Sequence, residues 1–105
     1  VELRQWVQGE MHKLLLLEAG SLVAEERFEE AEGNYARALT FDNYDERAHR
    51  GIMLSRALLK IRTGTIQQYR ECERLLAEEL DVRPSKETVE LYATIAKDKP
   101  LPPAL

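Results

Sequence analysis

Cysteine is nearly missing, since Cys72 stands alone among 105 residues. It has no intrachain partner, so a disulfide-stapled mini-protein is excluded, and an unpaired thiol fits a reducing cytoplasm. Long apolar runs are missing as well. The longest, Leu14 to Leu17, falls far short of the roughly 20 residues that a membrane-spanning helix needs. No basic start, apolar core and small-residue cleavage site mark a secretory leader between Val1 and Lys13. Strand signals are sparse: there are only five glycines, no Asn-Gly or Asp-Gly hairpin and few alternating β-branched runs. What is present is a globular composition, 44% hydrophobic and 32% charged with a net charge of −4. That excludes wholesale disorder, because enough apolar surface is available to offset the ordering entropy. The length suits one domain.

Helical spacing fills the chain. A first helix is expected from about Glu2 into the early twenties, with Leu3, Val7, Met11, Leu14 and Leu17 near one side. Four successive leucines point all round a helix, so its second half is expected to be covered on more than one face. A turn at Glu25 to Arg27 leads to a second helix carrying Phe28, Ala31, Tyr35, Ala38 and Leu39. Phe41 to Tyr44 interrupts it, and Asn43 is the expected cap of a third helix, with Glu46 reaching back to it. Ala48, Ile52, Ser55 and Leu59 make one stripe of that helix and Leu54, Leu58 and Ile61 a second. After a turn at Lys60 to Thr63, a fourth helix holds Ile66, Tyr69, Cys72, Leu76 and Leu80, and Pro84 ends it. Ser85 caps a fifth helix with Val89, Tyr92 and Ile95. Residues 97–105 carry three of the four prolines and read as a linker or disordered tail beyond a domain of residues 1–96.

Self-similarity appears at a spacing of 34 residues, which relates Ala31 to Thr65, Tyr35 to Tyr69 and Ala38 to Cys72. This is the tetratricopeptide period, in which small residues let paired helices approach and an aromatic ring fills the gap. The expected fold is therefore all-α, about five helices in tetratricopeptide-like hairpins forming a right-handed superhelical array.

The C-terminal half is more particular. Gln68 to Cys72, Leu75 to Val82, Pro84 to Thr88 and Leu91-Tyr92, with Arg47 to Met53, Glu29 to Ala31, Trp6 and Leu14 to Leu16 upstream, resemble the bacterial transcriptional activator domain over about residues 3–96. Two positions depart from the family pattern: Asp81 stands where Gly usually ends the fourth helix, and Lys60 where Gly is expected in the hairpin turn. The resemblance implies a module of larger regulators, including activators of antibiotic biosynthesis. There a winged-helix DNA-binding domain precedes the helical domain, which packs against it and sets its arrangement or dimerisation; some members carry a further NTPase or sensor domain. A start at Val1 rather than Met is what a segment of a longer protein would show.

No catalytic constellation is apparent. His12 and His49 lie far apart, no His and Cys stand at metal-ligand spacing, and there is no phosphate-cradling glycine loop. No enzyme activity, metal or cofactor is expected. Cys72 occupies a small-residue position on the inner stripe of its helix and reads as a buried, inert thiol. Glu25, Glu26, Glu29, Glu30 and Glu32 read as a solvated turn and helix start. The third helix is locally basic. Its Arg47 and Arg50 are candidates for docking an acidic peptide, a neighbouring domain or a phosphate; the alternative is pairing with glutamates of the second and fourth helices.

Trp6, with Leu3 and Val7, precedes the first repeat with no earlier hairpin to cover it. These three are expected to face a winged-helix domain or a second copy of the chain, the alternative being packing on the chain's own helices. The function expected is a non-catalytic interaction or oligomerisation module of a bacterial transcription regulator, cytoplasmic and without membrane contact. The rival is a free-standing tetratricopeptide adaptor for a peptide or partner protein, although Leu16 and Gly20 fill the places where such grooves commonly use Lys and Asn. An acidic chain is a poor polyanion binder. Anisotropy titrations of labelled duplex DNA should show no submicromolar, salt-sensitive affinity for this domain by itself.

Overall fold

A computed structural model describes residues 2–97. Val1 and residues 98–105, most of the expected tail, lie outside them. Five α-helices follow one another as hairpins: α1 (Leu3–Ala24), α2 (Phe28–Phe41), α3 (Glu46–Leu58), α4 (Arg62–Leu75) and α5 (Lys86–Ala96). The last turn before α5, Leu76–Leu80, is π-helical. No strand occurs among the described residues, and no helix there is long and apolar enough to cross a membrane.

The 34-residue repeat is written into the turns as well as the core. Glu26 (φ 61) and Lys60 (φ 66) are both left-handed. Each sits in the same hydrogen-bonded helix ending: Arg27 N–H donates to Leu22 O and Glu26 N–H to Val23 O, while Ile61 N–H donates to Arg56 O and Lys60 N–H to Ala57 O. These are paired bonds of the Schellman type, which satisfy the last carbonyls and reverse the chain. The next helices start one repeat apart, at Phe28 and Arg62. Ala31, Tyr35 and Ala38 are buried, and so are their counterparts Thr65, Tyr69 and Cys72.

Asp81 (φ 53) supplies a third left-handed ending. Here Val82 N–H reaches Leu76 O, one residue wider than in the other two turns. The wider turn follows from the π geometry before it. It also moves Leu80 off the buried stripe expected for it, so Leu80 is exposed while Leu76 is buried.

α3 is the helix packed from most directions. Its buried residues run from Ala48 and His49 through Gly51 to Ser55, which is wider than the single apolar stripe of a surface helix. One cluster joins Leu15, Ala19 and Leu22 of α1 with Ala31, Tyr35 and Ala38 of α2 and with Ala48 and Ile52 of α3. Another joins Met53, Tyr69, Leu91 and Ile95, and there Tyr69 stacks on Tyr92 with ring centroids 3.9 Å apart. α5 turns Thr88, Leu91 and Ile95 inward. Val89, expected on its inner stripe, is exposed because it lies on the opposite side of the helix.

Two further expectations are corrected. The cap of α3 is Asp45, whose side chain accepts from Arg47 N–H; Asn43 lies too far upstream, in the turn. Glu46 does not reach back to Asn43. It extends to α5, accepting from Ser85 N–H at 2.8 Å and from the Thr88 hydroxyl at 2.7 Å. Ser85 itself caps α5 by accepting from Thr88 N–H. The run Leu14 to Leu17 is covered on one side only: Leu15 is buried, whereas Leu14 and Leu17 stand in solvent, since no element packs on the outer face of α1 among the described residues.

Two substitutions test this account in opposite directions. Lys60→Gly removes a side chain from a left-handed position and should raise stability by about 0.5–1 kcal/mol in urea denaturation. Gly51→Ala places a methyl group inside the space of the Tyr35 ring. It should cost about 1–3 kcal/mol, as overpacking does.

Candidate functional site

α1 has two apolar faces. Leu15, Ala19 and Leu22 face α2 and α3. At about 100° per residue, Trp6 and Leu17 point away from that face, Leu3 and Leu14 lie partway round, and Val7 sits at the flank. Their exposures are 74% for Leu3, 58% for Trp6, 47% for Val7, 58% for Leu14 and 71% for Leu17. Single exposed apolar residues are ordinary, but these five make a strip along one side of α1, interrupted by Glu10. Leu3, Trp6 and Val7 are thus all exposed near the start of α1.

The two arginines part company. Arg50 keeps a side-chain exposure of 14% and pairs with Glu87 at 3.4 Å, while its guanidinium donates to the Thr88 hydroxyl at 3.1 Å. It joins α3 to α5. Arg47 is 66% exposed, with its guanidinium donating to both oxygens of Asp45 at 3.1 and 2.8 Å. Farther along, Arg56 pairs with Glu32 of α2, and Arg62 donates to Ala96 O at the end of α5. Much of the local basicity of α3 is therefore neutralised inside the fold.

A polar joint that spacing did not reveal lies between the helices. His12 of α1 places Nδ1 3.0 Å from Ala38 O and Nε2 2.7 Å from Asp45 Oδ2. His12 and Asp45 lie 33 residues apart in sequence, a separation that carries no motif. Burial works against the charge on Asp45, but bonds from Arg47 and His12 outweigh it and hold the carboxyl at about 2. Asp42 completes a group of three ligand-type side chains whose atoms lie within 4.8 Å of one another. A cation there would compete with the Arg47 guanidinium, which already holds both Asp45 oxygens.

Cys72 is fully buried, and burial pushes its thiol up to about 12. It stays protonated at neutral pH and offers no thiolate nucleophile.

The described residues form an all-helical array of successive hairpins. The chain matches the bacterial transcriptional activator domain over residues 3–96 and belongs to that family, which is regulatory and non-catalytic. No curated protein and no solved structure matches it.

Acid should dismantle the joints around the start of α3. The carboxyls of Asp45 and Glu46 are both lowered in the fold, Glu46 because bonds from Thr88 and Ser85 outweigh its burial. Such groups stabilise fully above their unfolded values, near 4, and the contribution disappears as pH falls through the folded values. Thermal midpoints should therefore hold steady at neutral pH and drop between about pH 4 and pH 2. Asp45→Ala should lower stability at pH 7 by about 2 kcal/mol, since it removes a helix cap and leaves Arg47 and His12 without their acceptor.

Proposed function

We propose that this domain is the non-catalytic interaction module of a bacterial transcription regulator, and that α1 seats the winged-helix DNA-binding domain of the same parent protein. The observation that carries this reading is the bare strip of Leu3, Trp6, Val7, Leu14 and Leu17. In a stack of helical hairpins each pair contacts only its neighbours, so the first helix keeps an uncovered face unless another unit precedes it. A preceding domain seated there would be held at a set angle to the array, and a change in the array's arrangement would be passed to the domain that meets DNA. Arg47, exposed at the start of α3, offers a charged contact away from that seat. The cytoplasm is the compartment that this reading requires.

The adaptor reading has less support. A peptide groove needs free cations on its inner helices, and Arg50 spends its charge on α5.

The test uses Trp6, the only tryptophan. In the isolated domain it should quench readily with acrylamide. Joined to, or titrated with, the winged-helix domain of its parent regulator, it should shift to the blue and become shielded. Trp6→Ser combined with Val7→Ser should leave the stability of the isolated domain within about 0.5 kcal/mol and abolish promoter activation by the parent regulator. Unchanged emission with the winged-helix domain present overturns the reading. A mass that doubles with concentration in sedimentation would assign the strip to a second copy instead.

A further inference from the structure

Three ligand-type side chains from separate segments meet beside the turn between α2 and α3. His12 of α1, Asp42 of the turn and Asp45 at the cap of α3 each offer one donor atom, and these atoms all lie within 4.8 Å of one another. Side-chain exposure is 12% for His12 and 7% for Asp45, whereas Asp42 is exposed and opens the group to solvent. His12 faces inward, so the group shares no residue with the apolar strip of α1.

Each donor is oriented from outside the group. Nδ1 of His12 lies 3.0 Å from Ala38 O, a carbonyl that only accepts, so Nδ1 carries a hydrogen. Metal-bound histidines are held in this way, with the second ring nitrogen donating to a carbonyl so that tautomer and ring orientation are fixed. Asp45 Oδ1 accepts from the Arg47 backbone N–H and Asp42 Oδ1 from the Tyr44 backbone N–H, both at 3.0 Å. At the centre Nε2 of the ring faces Asp45 Oδ2 at 2.7 Å, with a carboxylate oxygen of Asp42 beside them.

That centre calls for a positive charge. With its hydrogen spent at Nδ1, a neutral ring turns the Nε2 lone pair toward a carboxylate oxygen, and two acceptors repel at such a distance. His49 meets no such conflict, since Nε2 donates to Asn43 O at 2.9 Å and Nδ1 accepts from the Gln68 amide at 2.8 Å. A divalent ion about 2 Å from each donor resolves it, because tetrahedral ligands stand about 3.3 Å apart. Small side-chain shifts reach that spacing. The guanidinium of Arg47 competes for both Asp45 oxygens, but that side chain is 66% exposed and its surface pairing is cheap to give up. Arg47 thus weakens the site without closing it. The imidazole nitrogen favours a transition ion over magnesium and calcium, which take oxygen ligands.

We propose that His12, Asp42 and Asp45 form a binding site for a divalent transition ion of the zinc class, which ties α1 to the α2–α3 turn and to the cap of α3. Zinc held by three protein ligands completes its shell with water. The bound ion crosslinks His12 to Asp45 across 33 residues of chain and stabilises the fold increasingly as free zinc rises. The docking reading of the α1 strip and this site are independent, since neither uses the other's residues.

Calorimetric titration of the whole domain with zinc chloride at neutral pH should give one ion per chain, with a thermal midpoint that climbs as free zinc rises. Two-bond nitrogen–proton spectra should show zinc moving the Nε2 signal of His12 and leaving His49 in place. His12→Gln and Asp42→Asn keep the Asp45 cap, and each should weaken binding at least about tenfold. Asp42 is exposed, so its variant keeps the fold and reads the site alone. Arg47→Ala frees both Asp45 oxygens and should tighten binding several-fold, a gain that scattered surface carboxylates would not show. No binding at micromolar zinc, equal affinity of Asp42→Asn and the native chain, or binding that Arg47→Ala fails to tighten overturns the proposal. An imidazolium pattern at His12 that zinc leaves untouched assigns the central charge to a proton and overturns it as well.

Discussion

Stacked helical hairpins touch only their neighbours, and that constraint governs the rest of this domain. A helix inside the stack is covered from several directions, whereas a helix at its end keeps one face open. α3 is the inside helix and its burial runs through consecutive residues from Gly51 to Ser55. α1 is an end helix, apolar on both sides but packed on one. The strip it leaves open comes from sequence that is as apolar as a core, at a place where the described residues have nothing to set against it.

Polar contacts converge on the stretch 45–50, at the start of α3. Asp45 reaches α1 through His12, Glu46 reaches α5 through Ser85 and Thr88, His49 reaches α4 through Gln68, and Arg50 reaches α5 again. One helical turn and a half thus carries a bond to three other helices. Such contacts are directional, so they fix the angles between helices that apolar packing alone leaves loose. The same stretch is where the ionisation of the fold is tied to its geometry.

Much of the architecture was legible from spacing. The 34-residue relation among Ala31, Tyr35 and Ala38 and their counterparts survives as burial, and it extends to the paired left-handed turns at Glu26 and Lys60. Small and aromatic residues at fixed offsets are constrained by local helix geometry, which is why pattern reading succeeds there. Less legible was the fate of Leu14 and Leu17, because periodicity reports which faces are apolar and not which are covered. Val89 and Leu80 miss their expected stripes for different causes, one a helix rotated by its own contacts and the other a π turn that shifts the register.

By itself, the sequence determined the number of helices, where they end, and the residues that let them approach closely. These are local properties: a capping hydroxyl at Ser85, a proline before it, and glycine or alanine where another helix must come near. Tertiary structure alone decided that Asp45 rather than Asn43 caps α3, that Glu46 serves α5, and that His12 meets Asp45 across 33 residues of chain. Those partners are chosen by the angle at which helices cross. A side chain's hydrogen-bonding capacity is written in its identity, but its partner is set by which backbone arrives within 3 Å of it.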